Sequence, residues 1–409
     1  MAQPRRIEPD LQFVKELQAV GGESLKKCYQ CATCSVACPI SPSTNPYPRK
    51  EMLWAQWGLK DRLLNDVDIW LCYNCGACSD LCPRGAKPGD LLAALRNMAY
   101  QKLSAPNIIG KWMSSATYLP VLIGIPALLF LVVWFIRAQI IGSAFPLTKE
   151  GKVVYGLLFP GDFTIDPIFV TTFTLMMLVF FCGVKSLISS FKAEGEILFL
   201  GKKKSWIACL IDVVMGEIMT HKKFQDCGAD KADRKIGHMV LFYGFLCLAV
   251  VTGVVAVGHW AGYNIGGWLG GNEANAPNWL KTLVAIGHVT HTPMAQTNMV
   301  KILGNIGAVC LLIGLSLLTF RRVTLNPKRS SSTFYDWYLL GVIWAVTLTG
   351  IGSELLRLAN VKYLAYPMYY LHLVAVFMLF AYLPWSKLGH LVYRTAALTY
   401  ARYMGRKVL

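Results

Sequence analysis

The sequence predicts an all-α protein in two parts, a small cysteine-rich helical module followed by a bundle of six membrane-crossing helices. Three observations carry that reading. One cysteine pattern, C-x2-C-x2-C-x3-C-P, occurs twice near the start, as CYQCATCSVACP at 28–39 and CYNCGACSDLCP at 72–83. Beyond residue 104 the chain turns apolar, with six runs near the roughly 20 residues needed to cross a bilayer. Basic loops alternate with neutral ones between those runs.

The cysteines come first. Disulfide frameworks belong to small exported domains. The opening MAQPRRIEPDLQFV has Arg5 and Arg6 but no apolar run behind them, so the module is expected in a reducing compartment. Zinc sites are usually built from two separated ligand pairs, whereas four cysteines in one tight run closed by proline form the bacterial ferredoxin pattern. Three close cysteines wrap one cubane and the fourth reaches the other. The crossed reading gives Cys28, Cys31, Cys34 and Cys82 to one [4Fe–4S] cluster, and Cys72, Cys75, Cys78 and Cys38 to a second. Cys182, Cys209, Cys227, Cys247 and Cys310 are scattered, mostly in apolar runs, and read as small buried hydrophobes.

Between the two runs, a turn-rich start gives way to a helical period in which Met52, Leu53, Trp57, Leu63 and Leu64 can share one face. A short β-type ferredoxin has no need of this spacer, so the module at 1–104 is expected to be helical. After Pro83, GDLLAALRNMAYQKL reads as a further helix with Asp90 as N-cap.

The whole chain, with 55% hydrophobic residues and a mean hydropathy of +0.43, is too apolar for a soluble protein of this size, and residues 105–409 are read as its membrane part. The six crossings are placed near 117–137, 167–189, 237–260, 300–320, 336–357 and 364–385. Segment 190–236 carries Lys192, Lys202, Lys203, Lys204, Lys222, Lys223, Lys231, Arg234 and Lys235; segment 321–334 carries Arg321, Arg322, Lys328 and Arg329. The tail adds Lys387, Arg394, Arg402, Arg406 and Lys407, while the loop 261–299 has Lys281 alone. The positive-inside rule then puts both termini and the basic loops in the cytoplasm, in a multi-pass inner-membrane protein. That topology accounts for the net charge of +17. A nucleic-acid partner is not expected, because no basic–aromatic recognition motif accompanies the charge. Segment 205–221 reads as an amphipathic helix on the inner surface.

Clusters move single electrons, so the bundle should hold an acceptor. His372 and His390 are eighteen residues apart, five turns of a helix and about 27 Å, with Pro384 between them as an expected bend. The antiparallel third crossing offers His238 opposite His390 and His259 opposite His372. Neutral imidazole is a strong iron ligand, so two bis-histidine b haems are expected: an inner one on His238 and His390, an outer one on His372 and His259. His259 lies about 31 Å beyond His238 at helical rise, slightly too far for a matched pair, and His288 and His291 compete with it. Arg234, Lys235 and Arg394 are candidate partners of the inner haem propionates. His221 reads as surface or partner-facing. Glu354 and Arg357, ionisable at membrane depth, are candidate quinone contacts.

The cysteine module resembles the HdrC iron–sulfur subunits of heterodisulfide reductases. RKIGHMVLFYGF around His238 and YYLHLVAVFMLFAYLPWSKLGHLVYR from Tyr369 to Arg394 resemble HdrE and the gamma subunit of respiratory nitrate reductase. The fusion of the two resembles the membrane subunits of quinone-interacting membrane-bound oxidoreductases (Qmo) of sulfate respirers. One position departs from the nitrate reductase pattern: ten residues after His238, where that family has a second histidine, stands Leu248. The resemblance implies electron flow from menaquinol to HdrA-like flavin and iron–sulfur subunits, and on to adenylylsulfate reductase. A flavin site of the chain's own is not expected: the glycines of GYNIGGWLGGN lie in an outer loop without a strand–turn–helix context. No adjacent Cys-Cys pair for heterodisulfide cleavage is present.

Three other classes compete: a quinone-linked HdrE- or DsrM-like anchor of another Hdr-type complex, a haem-free structural anchor, and a transporter. A transporter should show inverted repeats with broken helices, and the sequence shows none.

Overall fold

The cysteine runs dictate the first part of the fold, because each must turn tightly enough to aim three thiols at one point. The computed structural model describes residues 8–405 except 44, 194–203, 225–230, 271–274 and 325–329. Cys227, Lys202, Lys203, Lys328, Arg329, Arg406 and Lys407 lie outside the described residues. Every regular element among the described residues is helical.

Helix α1 (Leu11–Leu17) opens on Asp10, whose carboxylate accepts from the Phe13 N–H at 2.8 Å. The first cysteine run winds into α2 (Thr33–Val36), and the spacer forms α3 (Arg49–Gln56), α4 (Lys60–Leu64) and α5 (Asp68–Leu71). The expected continuous face is therefore broken. The break is at Gly58, with φ of 67°, where a Cβ would lie 2.9 Å from the backbone N and O of Asp10. Met52, Leu63 and Leu64 stay buried, but Trp57 turns outward, 53% exposed.

The second run forms α6 (Ala77–Asp80), followed by α7 (Pro88–Leu103). Asp90 does not cap α7. The helix begins at Pro88, where a missing N–H costs nothing. The Asp90 carboxylate instead accepts from Ser330 Oγ (2.7 Å), Ser331 N (2.9 Å) and Ser331 Oγ (2.8 Å), tying a distant loop to the module.

After α8 (Asn107–Trp112) come α9 (Leu119–Ile141), the short α10 (Tyr155–Leu158) and α11 (Asp166–Ala193). Next are α12 (Trp206–Val213), α13 (Lys231–Val257) and α14 (Asn278–Thr290), then α15 (Met299–Val323), α16 (Phe334–Leu358), α17 (Lys362–Ala381) and α18 (His390–Tyr403). Six helical segments are long and apolar enough to cross a membrane: Ala116–Ile141, Gly161–Lys192, Arg234–Gly266, Met299–Val323, Phe334–Leu358 and Lys362–Ala381. Their outward faces carry large apolar side chains such as Leu128, Phe135 and Phe181, as lipid contact requires.

The expected bent helix through Pro384 is a break instead. Helix α17 stops at Ala381, two 3-10 turns follow at Leu383–Trp385 and Lys387–Gly389, and α18 restarts at His390. Pro384 removes a helical donor. Trp385 Nε1 donates to Ser104 O at 3.0 Å, and Lys387 pairs with Asp336, so side chains from the break are held by neighbouring elements. His372 and His390 therefore sit on different helices, and the five-turn register does not relate them.

No seam separates the two parts. Trp70 and Tyr100 of the module pack on Tyr393 of α18, with ring centroids 5.9 and 6.0 Å away. The Tyr393 hydroxyl bonds Ser104 Oγ at 2.9 Å, and Ser104, where the composition shifts, is fully buried. Helix α12 packs on α18 through Cys209 and Val213, while Ile207, Ile211 and Met215 face outward. Gly183 of α11 makes room for this junction: a Cβ there would lie 2.5 Å from the Tyr393 hydroxyl and 2.9 Å from Leu103 O. Gly183→Ala should destabilise the protein by about 1–3 kcal/mol through overpacking, read as a lower thermal midpoint with cofactor content unchanged at low temperature.

Candidate metal centres

The two cysteine runs take up the same backbone conformation. The second residue after each first cysteine, Gln30 and Asn74, is left-handed, with φ of 60° and 50°, and so is the fourth, Ala32 (69°) and Gly76 (81°). That repeated turn folds each C-x2-C-x2-C segment back on itself and starts α2 and α6.

Two hollows result. One is lined by Cys28, Cys31, Cys34 and Cys82, with Tyr29, Arg49 and Arg84 at its rim. The other is lined by Cys38, Cys72, Cys75 and Cys78, with Tyr47, Tyr73 and Asn74. The thiols thus gather three from one run and one from the other. All eight are free. Burial, with Cys28 and Cys82 nearby, pushes Cys34 up to about 11; burial, with Cys72 and Cys75 nearby, pushes Cys38 up to about 12. Burial and its three hollow-mates push Cys78 well up. Cys31 is exposed and is held below the usual value by hydrogen bonds from Thr33. Four crowded thiols of this kind ionise together only around a strongly positive centre, which is the donor chemistry of an iron–sulfur cluster.

The two hollows face different neighbours. Tyr29 at the first is 68% exposed and stacked by Arg84 at 4.1 Å. Tyr73, next to Cys72 at the second, is buried against the bundle. Its hydroxyl donates to Glu217 at 3.1 Å, its ring lies 3.7 Å under the Arg394 guanidinium and 5.6 Å from Phe224, and its carbonyl accepts from Arg234. Arg394 also reaches Leu71 O at 3.4 Å. Arg234 and Arg394, candidate propionate partners by sequence, thus hold the second cysteine loop, while Lys235 lies beside His221.

The histidines sort by which ring nitrogen is engaged. His390 Nδ1 lies 2.7 Å from Lys387 O. A carbonyl only accepts, so Nδ1 carries the proton and Nε2 the lone pair. His372 Nδ1 lies 3.1 Å from Thr349 Oγ1, whose own proton goes to Ala345 O at 2.5 Å, so Nδ1 again donates. His238 Nδ1 lies 2.8 Å from His221 Nε2, and His221 Nδ1 faces Met219 O at 3.4 Å. The carbonyl fixes the His221 proton on Nδ1, so its Nε2 accepts from His238. Burial, with Lys235 adding to the shift, keeps the His221 pKa below its ordinary value. All three candidate ligands present a bare Nε2 with Nδ1–H anchored, the arrangement a metal-bound imidazole takes. His238 and His390 are also near enough to interact electrostatically.

His259 is the reverse. Its Nε2 donates to Asp162 Oδ1 at 2.6 Å, its ring is stacked 6.1 Å from Tyr263, and His291 and Trp260 are its other ring neighbours. No ring contact or hydrogen bond joins it to His372 among the described residues. His288 packs on Tyr263. Glu354 is paired with Lys301 at 2.6 Å, and Arg357 follows it three residues on in α16. The sequence reading of His221 is corrected: it is 3% exposed and bonded to His238. Its only sequence signal was a histidine within the basic segment leading into the third crossing.

The cysteine module also holds a buried charge cluster. Lys50 Nζ lies 2.6 Å from Asp68, 2.9 Å from Asp66 and 3.4 Å from Glu51. Its ammonium occupies the place a cation would take among three carboxylates. Neither Glu51 oxygen has a hydrogen-bond partner, and burial, reinforced by Asp66, pushes its pKa well up.

This arrangement defines the class of protein: a twin four-cysteine module of iron–sulfur type built onto a helical bundle with six segments able to cross a membrane. Residues 24–86 match the 4Fe-4S dicluster domain family, and residues 255–367 match the nitrate reductase gamma subunit family. The chain is thus similar to HdrC-type iron–sulfur subunits in its first part and to HdrE and nitrate reductase gamma subunits in its membrane part. It is 38% identical over 95 residues to the C subunit of the H2:CoB-CoM heterodisulfide,ferredoxin reductase of Methanothermobacter marburgensis, covering 23% of this chain and 51% of that one. It is 39% identical over 79 residues to the iron–sulfur C subunit of the CoB–CoM heterodisulfide reductase of Methanopyrus kandleri (19% and 41%). It is 29% identical over 108 residues to the E subunit of the dihydromethanophenazine:CoB–CoM heterodisulfide reductase of Methanosarcina acetivorans (25% and 41%). The chain spans about half or less of the length of these relatives. The two family matches do not reach His238, His372 or His390. No solved structure matches the chain significantly.

The Glu51 shift sets a pH dependence. A carboxyl whose folded pKa is raised binds its proton more tightly in the folded state, so stability falls as pH rises above the ordinary value of about 4.3. Glu51→Gln should flatten that fall and stabilise the protein at neutral pH, read as denaturant midpoints across the pH range.

Proposed function

We propose that this chain is the membrane electron-transfer subunit of a quinone-linked oxidoreductase of the Qmo type, passing electrons from menaquinol to cytoplasmic HdrA-like flavin and iron–sulfur subunits and, through them, to adenylylsulfate reductase. The observation that carries the reading is the contact between the second cysteine loop and the inner histidine pair: Tyr73 packs on Phe224, and Phe224 lies 5.1 Å from the His238 ring.

Cys28, Cys31, Cys34 and Cys82 would hold one [4Fe–4S] cluster, and Cys38, Cys72, Cys75 and Cys78 the other. His238 and His390 would hold the inner b haem through Nε2, and His372 the outer one. His259 is the proposed fourth ligand, but its Nε2 is committed to Asp162, so ligation would run through Nδ1. Bound in these places, the groups supply one-electron carriers between a two-electron quinol and acceptors in the cytoplasm. The chain's own task is to hold them in sequence and keep them dry. Tyr73, Arg394 and Arg234 bind the second cysteine loop to the membrane domain, while the first loop, with exposed Tyr29 and Cys31, is left open to partner subunits. The module and basic loops would face the cytoplasm, with both termini inside. Glu354, neutralised by Lys301, and Arg357 are the proposed quinone contacts.

A second reading, an anchor of another Hdr-type complex, draws on the relatives being heterodisulfide reductase subunits. Partner subunits recovered with the intact native complex separate it from the first. A reduced-minus-oxidised spectrum of the purified chain should show b-type bands, diminished in His390→Ala; bands absent from the wild type would leave only a haem-free anchor. Cys38→Ala should lower bound iron by about half and abolish the cluster on Cys72, Cys75 and Cys78, with electron paramagnetic resonance of the remaining cluster retained.

A further inference from the structure

His221 has no role in the reading above, yet three features single it out. Its side chain is buried, 3% exposed, in a segment rich in lysine. Its backbone is left-handed, with φ of 51°, a conformation that side chains other than glycine adopt against steric resistance and that persists where surrounding contacts enforce it. Its Nε2 meets His238 Nδ1 at 2.8 Å, with Met219 O fixing the tautomer from the other side.

The neighbours make these features a unit. His221 packs on Phe224 at 5.4 Å and on Phe242 at 5.3 Å, and Phe224 touches both His238 and Tyr73. Glu217, one turn earlier, receives the Tyr73 hydroxyl and pairs with Arg402 at 2.5 Å. One short surface segment therefore grips the second cysteine loop with Glu217 and Phe224, and grips the His238 ring with His221.

We infer that His221 is a positioning residue for His238: it accepts the Nδ1 proton, holds the ring with Nε2 aimed away, and makes His238 a more basic donor to the inner metal group. The inference rests on the proposed haem reading and adds to it a residue that does not itself bind iron. A donated hydrogen bond from Nδ1–H enriches electron density on the opposite nitrogen, which favours the oxidised metal and lowers its reduction potential. The backbone strain at His221 is then retained because glycine, which would relieve it, has no imidazole to offer.

The test uses the full-length chain and reads the inner haem by optical redox titration and electron paramagnetic resonance. His221→Gly relieves the left-handed backbone and deletes the acceptor; His221→Gln keeps an acceptor. In His221→Gly, haem and iron content should match the wild type, the inner midpoint should rise and its g-values should shift, and the outer haem should not change. His221→Gln should move these signals back towards the wild type. Inner-haem signals unchanged in His221→Gly would overturn the inference. So would loss of the inner haem in both variants, which would make His221 a ligand. A His238→Ala protein with undiminished haem would instead sink the haem reading itself, whatever the His221 variants show.

Discussion

The packing of Tyr393 between Trp70, Tyr100 and Phe180 is the constraint on which the rest of the molecule depends. It joins a cysteine-rich module that would otherwise be a separate small domain to the end of a membrane bundle. Because the three ring pairs at Tyr393 are buried and its hydroxyl is bonded to Ser104, the second cysteine loop is held at a fixed place over α13 and α18. A flexible tether at residue 104 would leave that distance undefined, and electron transfer between carriers depends on it.

Around this joint, charge is handled differently on the two sides. Inside the module, Lys50 lies among three buried carboxylates, and burial raises the Glu51 pKa, so the cation and the shifted acid together limit the buried negative charge. At the junction the cations go to a ring, a backbone carbonyl and a carboxylate: Arg394 lies over Tyr73, Arg234 donates to its carbonyl, and Arg402 pairs with Glu217. The basic loops that mark topology in the sequence therefore also supply the docking contacts.

The histidines show how much a ring's partner matters. His238, His372 and His390 each have Nδ1–H anchored by an acceptor, whereas His259 gives its Nε2–H to Asp162. Sequence position alone could not sort them: His238 and His259 share one helical segment, His372 stands midway along α17, and His390 opens α18. The acceptors that decide it, Lys387 O, Thr349 Oγ1 and His221 Nε2, come from a 3-10 turn, a neighbouring membrane helix and a surface segment.

What the sequence determined by itself is local or periodic: the helical class, the six apolar segments and the twin cysteine runs, because spacing and hydropathy act over a few turns of chain. Tertiary structure decided what depends on contact between distant segments. It broke the spacer at Gly58 because Asp10 lies against it, and it diverted Asp90 from capping to Ser330 and Ser331. It broke the last crossing before His390, where Pro384 withdraws a donor while Ser104 and Asp336 hold the side chains of the break. It also buried His221, which a lysine-rich context placed at the surface. Each of these outcomes is set by a neighbour far away in sequence, and no period or spacing encodes such a neighbour.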